Sequence, residues 1–351
     1  MKNNNIVIFV IIIIFISLGY LVILNKGENT PEVSRSAYIM NTVVQVRAYG
    51  ENAQKIVDES IQQIREIEDI MSVSVENSDI YRINSSPGQA VKVREATLKV
   101  IIRAVEYAEL TDGLFDPSIG PLVNLWGIGS KNQRVPSPEE IEEAKKLVNY
   151  RWIEVDSDKK TVKLTIDGMK LDLGAIVKGY AADEVRKIVK KYNGGSAFVN
   201  LGGNILVIGS KVDGSAWKIG IQDPRRGSGG VMGRIQLKDK TIVTSGNYER
   251  YFLENGELYH HIIDPRTGRP SRNRLLGVSV ITENSIDADA LSTSIFLSGL
   301  NYGMEMVDSL PGVEAIFITD QLEVVLSSGI NDDLEILDNK YTIITDFKDK
   351  E

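Results

Sequence analysis

The order of extended and helical patterns along the chain limits its fold more than any single motif does. Strand patterns crowd between Ala197 and Thr244, return at Gly277 to Thr282, and close the chain as two terminal strands after a helix around Asp289. A doubly wound sheet needs strands that alternate regularly with helices, and this order lacks that alternation. The expected fold class is therefore α+β, with mixed sheets and packed helices. Ahead of the crowded strands, Ala37 to Ala48 alternates as one strand, and Gly50 stops it. Asn52 to Met71 then places Ile56, Ile64, Ile67 and Met71 on one helical face. A second helix is expected from about Ala96 to Leu110. A third starts at Ser137-Pro-Glu-Glu, where Glu140 completes a capping box. Trp152 to Val155 and Thr161 to Ile166 flank Asp156-Ser-Asp-Lys-Lys as a hairpin. No short-period repeat or low-complexity tract interrupts this order.

The chain ends carry a different kind of information. Ile6 to Leu24 contains no Asp, Glu, Lys or Arg, and Lys2 precedes it. At a rise of about 1.5 Å per residue, such a run nearly crosses a hydrocarbon layer of roughly 30 Å. Residues 1–25 are therefore expected to form one N-terminal transmembrane helix, with the rest of the chain outside the cytoplasm at the cell membrane. The alternative is a secretion signal cleaved after Ser17-Leu-Gly19, although strongly apolar residues continue beyond that point. Residues 26–36 are polar and are expected to be a linker, residues 37–338 the folded domain, and residues 339–351 a charged tail. The formal charge of −8, with no basic stripe, excludes a nucleic-acid partner. Cysteine is absent, which removes disulfides, thiolate nucleophiles and soft-metal sites.

Two segments suggest chemistry. In Ser285-Ile-Asp-Ala-Asp-Ala-Leu-Ser-Thr-Ser, a helix would stack Asp289 and Thr293 on one face at i and i+4. A carboxylate beside a hydroxyl suits a hard, oxygen-seeking cation, above all Mg²⁺. The alternative is a helix N-cap made by Asp287 or Asp289, with the threonine packing. In Leu171-Asp-Leu-Gly-Ala-Ile-Val-Lys, a short strand would run into Gly174, and a helix would follow from about Ile176 to Lys191. Lys178 falls in the first turn, where the helix dipole disfavours a cation, so it needs an anionic neighbour such as phosphate. The alternative there is a tight turn with a solvated lysine.

The chain has two histidines, His260 and His261, so any imidazole chemistry belongs to this pair. Adjacent strand residues point to opposite faces, and only one of them can face a given site. Either that one is a general base, or it is a structural histidine bonding the Asp264-Pro265 turn. Phe115-Asp-Pro, Asn200-Leu-Gly-Gly-Asn and Ser245-Gly-Asn-Tyr end or join elements where a dinucleotide could be met, and each is also an ordinary turn. Trp126 and Trp217 are expected to be packing residues. No Gly-x-Gly-x-x-Gly sits between a strand and a helix, so nucleotide recognition would not be Rossmann-like.

Taken together these segments resemble the ApbE family, flavin transferases that move FMN from FAD onto a protein threonine. The resemblance runs from Ala37 to Ser327. It rests on Met40-Asn-Thr, Met71-Ser, Asn77-Ser-Asp-Ile, Asp112-Gly-Leu-Phe-Asp-Pro-Ser-Ile-Gly-Pro-Leu, the Asp172 segment, Asn200-Leu-Gly-Gly-Asn, Thr244-Ser-Gly-Asn-Tyr, His260-His-Ile-Ile-Asp-Pro-Arg-Thr-Gly and the Asp289 segment. It implies Mg²⁺ held by Asp289, Thr293 and the carbonyl of Ala175. It implies that Lys178 neutralises phosphoryl charge, that His261 rather than His260 is the base, and that Asp172 positions FAD. Met40, Ser74, Phe115, Asp116, Pro117, Ser245, Gly246 and Ile263 would complete the FAD contacts. The implied partner is an exported or membrane-bound protein with an acceptor threonine or serine. FAD hydrolysis to FMN and AMP, or flavin binding without chemistry, are the competing functions. Three positions depart from the family pattern: Asn41 stands where glycine is common, Ser74 where an aromatic commonly stacks on flavin, and Ser118 where threonine is frequent. The lipobox cysteine of many members is absent.

Overall fold

The computed structural model describes residues 30–225, 229–330 and 333–345. The expected membrane helix of residues 1–25 lies outside the described residues. Among the described residues, no helix is long and apolar enough to cross a membrane.

The first elements are β1 (Glu32–Ile39) and β2 (Thr42–Tyr49), an antiparallel hairpin in which Glu32 pairs with Tyr49 and Ile39 with Thr42. One strand from Ala37 to Ala48 was expected. Met40 and Asn41 instead take φ of 55° and 56°, the two positive values that a tight hairpin turn requires. Residues 32–36, expected to be linker, therefore belong to the sheet.

Asn52 precedes α1 (Ala53–Met71), which buries Ile56, Ile64, Ile67 and Met71 as their spacing predicts. Then come α2 (Asp79–Asn84), β3 (Val91–Lys92), α3 (Glu95–Leu110), α4 (Gly120–Trp126) and α5 (Pro138–Lys145). The capping box at the start of α5 is formed: the Glu140 amide donates to Ser137 Oγ at 3.3 Å, and the Ser137 amide to Glu140 Oε2 at 2.9 Å. β4 (Ile153–Asp156) and β5 (Thr161–Leu164) form the expected hairpin, with β3 on the other side of β5.

The strand expected at Leu171 to Gly174 is absent, and only an isolated bridge joins Lys170 to Ile119. The backbone there is bonded elsewhere. The Leu171 amide donates to Asn84 Oδ1 at 2.7 Å, and the Asp172 amide to the Pro117 carbonyl at 2.9 Å. After this segment run α6 (Val177–Lys191), β6 (Ser196–Leu201), β7 (Asn204–Gly209), β8 (Trp217–Gln222), β9 (Val231–Leu237) and β10 (Thr241–Gly246). β11 (Tyr251–Glu254), β12 (Glu257–His260), β13 (Ile263–Asp264), β14 (Arg269–Pro270) and β15 (Leu275–Thr282) follow. The chain continues through α7 (Ser285–Ser309), β16 (Glu314–Thr319), β17 (Glu323–Leu326), β18 (Leu334–Ile336) and β19 (Thr342–Ile344).

The main sheet has the order β1-β2-β6-β7-β10-β15-β16-β17-β19, antiparallel except for the β17–β19 pair. Its central strands are buried on both faces. In β16, Ala315 and Phe317 join the core beneath α1, α6 and α7, whereas Ile316 and Ile318 face a second core shared with the sheet β18-β9-β8. Apolar residues on both sides of the pleat produce the nearly continuous apolar runs seen in the sequence. The expected charged tail is partly structural. Tyr341 is buried and donates its hydroxyl to Asp223 at 2.6 Å, and the residues that follow it form β19, paired in parallel with β17.

Two helices meet at their N-termini. The first amides of α7, on Ser285 and Ile286, both donate to the carboxylate of Asp183 in α6, each at 2.9 Å. In return, the Gly179 amide in α6 donates to Asp289 Oδ2 in α7 at 2.9 Å. Gly179 permits this approach, because a Cβ at that position would lie 2.2 Å from the Ser285 carbonyl oxygen. Gly179→Ala should therefore push the helices apart and lower stability by about 1–3 kcal/mol, measured by urea unfolding. A variant as stable as the parent chain would show that the crossing is not tightly packed.

Candidate active site

A cavity of about 370 Å³ opens at one end of the main sheet. Asn204, Thr244 and Ser245 line it from the ends of β7 and β10, Gly202 from the turn between β6 and β7, and Met40 to Thr42 from the first hairpin turn. The N-terminus of α6 contributes Ala175 and Lys178, and α7 contributes Asp289 and Thr293. Asp172, Phe115, Asp116, His261 and Ile263 also line it. Residues far apart in sequence thus meet because the ends of α6 and α7 are locked together beside the strand ends.

Asp289 is 3% exposed, and one of its oxygens is held by the Gly179 amide. The other lies 3.5 Å from Lys178 Nζ. Lys178 also donates to the Gly174 carbonyl at 3.0 Å. The cation in the first turn of α6 therefore already has an anionic neighbour, and the helix-dipole cost is offset locally. Ser292 Oγ donates to the Asp289 carbonyl at 2.9 Å and lies 2.9 Å from Ser245 Oγ, so Ser245 is the donor between those two hydroxyls. Thr293 Oγ1 lies 3.4 Å from Ser245 Oγ. Asp289, Thr293, Ser245 and Lys178 form one connected group.

The adjacent histidines divide as alternation predicts. His260 is 3% exposed; its Nε2 donates to the Ser271 carbonyl at 2.7 Å, and its Nδ1 accepts from the Ile262 amide at 3.3 Å. His261 lines the cavity, and its Nδ1 lies 3.3 Å from the Arg250 carbonyl. Donation from Nδ1 to that oxygen leaves Nε2 as the acceptor. Loss of solvation, reinforced by His260 and Arg250, pulls the His261 imidazole down to about 3, so it is neutral at physiological pH.

Carboxylates differ in what they are free to do. Asp172 Oδ1 accepts the Gly174 amide at 2.7 Å, and burial raises its carboxyl above the usual range. Asp116 accepts from the Ser118 amide and hydroxyl and from the Tyr150 amide, at 2.8, 2.7 and 3.0 Å. That carboxylate orders its own loop and ties it to the segment at Tyr150, a use that the sequence motif did not reveal. Glu249, which the motifs did not single out, also lines the cavity. Desolvation by the enclosing walls, aided by nearby Asp289, pushes it up to about 7 against the opposing pull of Lys178 and Arg250. Its only sequence signal is its position just beyond Ser245-Gly-Asn-Tyr.

Three expected flavin contacts lie outside the lining. Ser74 is exposed in the loop after α1, with its amide on Ser72 Oγ at 3.2 Å. Pro117 is buried, and its carbonyl accepts the Asp172 amide. Gly246 sits against Tyr248, where a Cβ would fall 2.3 Å from the ring. Tyr81, a possible replacement for the missing aromatic at Ser74, does not line the cavity either. Phe115 is the one Phe, Tyr or Trp among the described lining residues, and Met40, Met71, Val73, Ile119 and Val123 supply aliphatic lining. Trp126 and Trp217 are buried, as expected of packing residues.

The two histidines should separate in stability. His260→Ala removes a buried ring and leaves the Ser271 carbonyl and Ile262 amide without partners, which should cost about 1–3 kcal/mol in urea unfolding. His261→Ala should cost less than about 1 kcal/mol, since its ring has one long bond at a cavity wall. Equal losses would contradict this division.

A family model described as the ApbE family matches residues 40–317. A Treponema pallidum protein named FAD:protein FMN transferase is 34% identical over 330 residues, covering 89% of this chain and 91% of its own length. A Klebsiella pneumoniae protein of the same name is 33% identical, covering 89% of this chain and 96% of its own. Among solved structures, the ApbE protein of Thermotoga maritima superposes with a TM-score of 0.80 at 36% identity, over 85% of this chain and 98% of the other. The flavin transferase ApbE of Vibrio cholerae gives 0.77 at 28% identity, over 86% and 98%. Sequence and fold agree over most of the described residues, and the chain belongs to the ApbE family.

Proposed function

We propose that this chain transfers FMN from FAD to a threonine or serine hydroxyl of a target protein in a Mg²⁺-dependent reaction that releases AMP. The observation that carries the reading is that Asp289, Thr293, Lys178 and a neutral His261 line one cavity beside an aliphatic wall. Relatives covering most of this chain bear the name FAD:protein FMN transferase.

The donor set fits a hard divalent cation: it contains only oxygen, with one buried carboxylate and one hydroxyl, and Mg²⁺ commonly needs one or two carboxylates beside substrate phosphates. Asp289, Thr293 and the Ala175 carbonyl would hold it, and it would supply charge neutralisation at the pyrophosphate. The remaining steps belong to the chain. The Lys178 ammonium binds the pyrophosphate. The aliphatic wall with Phe115 takes the isoalloxazine ring. Phosphate charge beside His261 favours its protonated form and raises its basicity from the depressed value of the free site. His261 Nε2 accepts the hydroxyl proton. The acceptor oxygen bonds the phosphorus on the riboflavin side, and the P–O bond to the AMP phosphate breaks, with its electron pair leaving on AMP.

Full-length protein incubated with FAD, Mg²⁺ and a candidate acceptor should add one FMN mass to the acceptor. AMP without that mass gain would establish hydrolysis, and bound intact FAD a binding module. Asp289→Asn should abolish the Mg²⁺-dependent turnover with the fold retained, and undiminished activity at limiting Mg²⁺ would remove the metal assignment. His261→Ala should lose ~10²–10⁴-fold in transfer yet still bind FAD, whereas His260→Ala should retain turnover per folded molecule.

We further propose that Ile6 to Leu24 anchors the enzyme to the cell membrane with its catalytic domain outside, close to exported or membrane-bound acceptors. The intact chain should fractionate with membranes and be cut by external protease. A soluble form beginning near Tyr20 would replace the anchor with a cleaved signal.

A further inference from the structure

The transfer reading requires a polypeptide to bring a hydroxyl to the cavity, and the first hairpin offers a place for it to bind. β1 is the terminal strand of the nine-stranded sheet. Its turn contains two residues, so Ile39 and Thr42 form a hydrogen-bonded pair, and the bonding alternates from there along the strand. Ser34, Ser36 and Tyr38 consequently direct their amides and carbonyls away from β2. No other described element pairs with that edge.

Natural sheets usually blunt such an edge with charge, proline or a bulge. Here the end nearest the cavity is apolar instead. Tyr38 and Val43 are direct cross-strand partners, and they are 70% and 62% exposed. The next residues of the same hairpin, Met40, Asn41 and Thr42, line the cavity, as does Val73, which is 47% exposed. At about 3.3 Å per residue, Tyr38 stands only about 7 Å along the strand from Met40.

We propose that the acceptor protein docks as an extra strand on β1, with apolar side chains over Tyr38 and Val43, and that its threonine or serine lies just beyond the paired segment, at the cavity mouth. This rests on the transfer reading and names how its partner is recognised. Main-chain bonds to Ser34, Ser36 and Tyr38 supply affinity without demanding a sequence, and the apolar pair selects alternating apolar residues. The acceptor polypeptide is the one occupant for which proximity to the cavity has a chemical reason.

The test uses the full chain with FAD, Mg²⁺ and a displayed library of peptides, each holding one threonine between random flanks. Flavin fluorescence on the peptide is the readout. Ser36→Pro removes an outward amide while sparing the ladder to β2, since an edge strand tolerates proline there. The double variant Tyr38→Ser, Val43→Ser carries the test should the proline variant fail to fold. Labelled peptides should show alternating apolar residues on one side of the threonine. Both variants should lower labelling at limiting peptide by about tenfold, while FAD affinity and the rate at saturating peptide change less than about twofold. Labelling unchanged in the folded variants, or labelled flanks without apolar alternation, overturns the proposal. So does a dimer that Ser36→Pro dissociates while labelling persists, which would give the edge to a second copy. If wild-type protein binds FAD and labels no peptide, the transfer reading falls and this inference falls with it.

Discussion

The exchange of carboxylates between α6 and α7 is the constraint on which the site depends. Each helix begins with amides that have no partner within the helix, and burying them unbonded is costly. Asp183 satisfies the first amides of α7, and Asp289 satisfies Gly179 in α6. The same bond that stabilises the crossing fixes the orientation of Asp289 and leaves its second oxygen beside Lys178. Structure and chemistry therefore meet on the two oxygens of one residue, and a glycine is required opposite it so that the backbones can approach.

The cavity controls charge by limiting water. His261 is held neutral because an imidazolium there would be poorly solvated and would face Arg250 and Lys178. Glu249 is pushed up to about 7 for the opposite reason, since a carboxylate there is desolvated and stands near Asp289. Near neutral pH, Glu249 is thus partly protonated, and it adds negative charge as pH rises. Before any ligand binds, Lys178 and Arg250 face a smaller negative charge than the residue types alone suggest. Under the proposed function, a pyrophosphate would add anionic charge beside these two cations.

A sheet covered on both faces gives this site rigid support. Successive residues of β16 enter different cores, one beneath the helices and one beneath the small sheet β18-β9-β8. The strand-end residues Asn204 and Ser245, which line the cavity, are fixed by their ladder partners Leu201 and Val278. The outer hairpin is different in kind, because β1 has a partner on one side only.

What the sequence determined by itself is local. The buried face of α1, the capping box at Ser137 and the spacing of Asp289 and Thr293 depend on contacts three or four residues apart, and the sequence states those directly. The opposite placements of His260 and His261 follow from the two-residue repeat of extended chain. The ordered motifs also identified the family. Tertiary structure decided the rest. The turn at Met40-Asn41 extends the sheet back to Glu32, which one alternating run did not disclose, and β19 is added by pairing with β17. Asp116 bonds Ser118 two residues on and the Tyr150 amide 34 residues away, Ser74 lies outside the cavity lining, and Glu249 belongs to it. Asp183 meets α7 about a hundred positions further along the chain. These outcomes depend on which distant residues share a surface, and on where water is excluded. No local pattern encodes either one, so the charge of Glu249 and of His261 became legible only once the walls around them were in place.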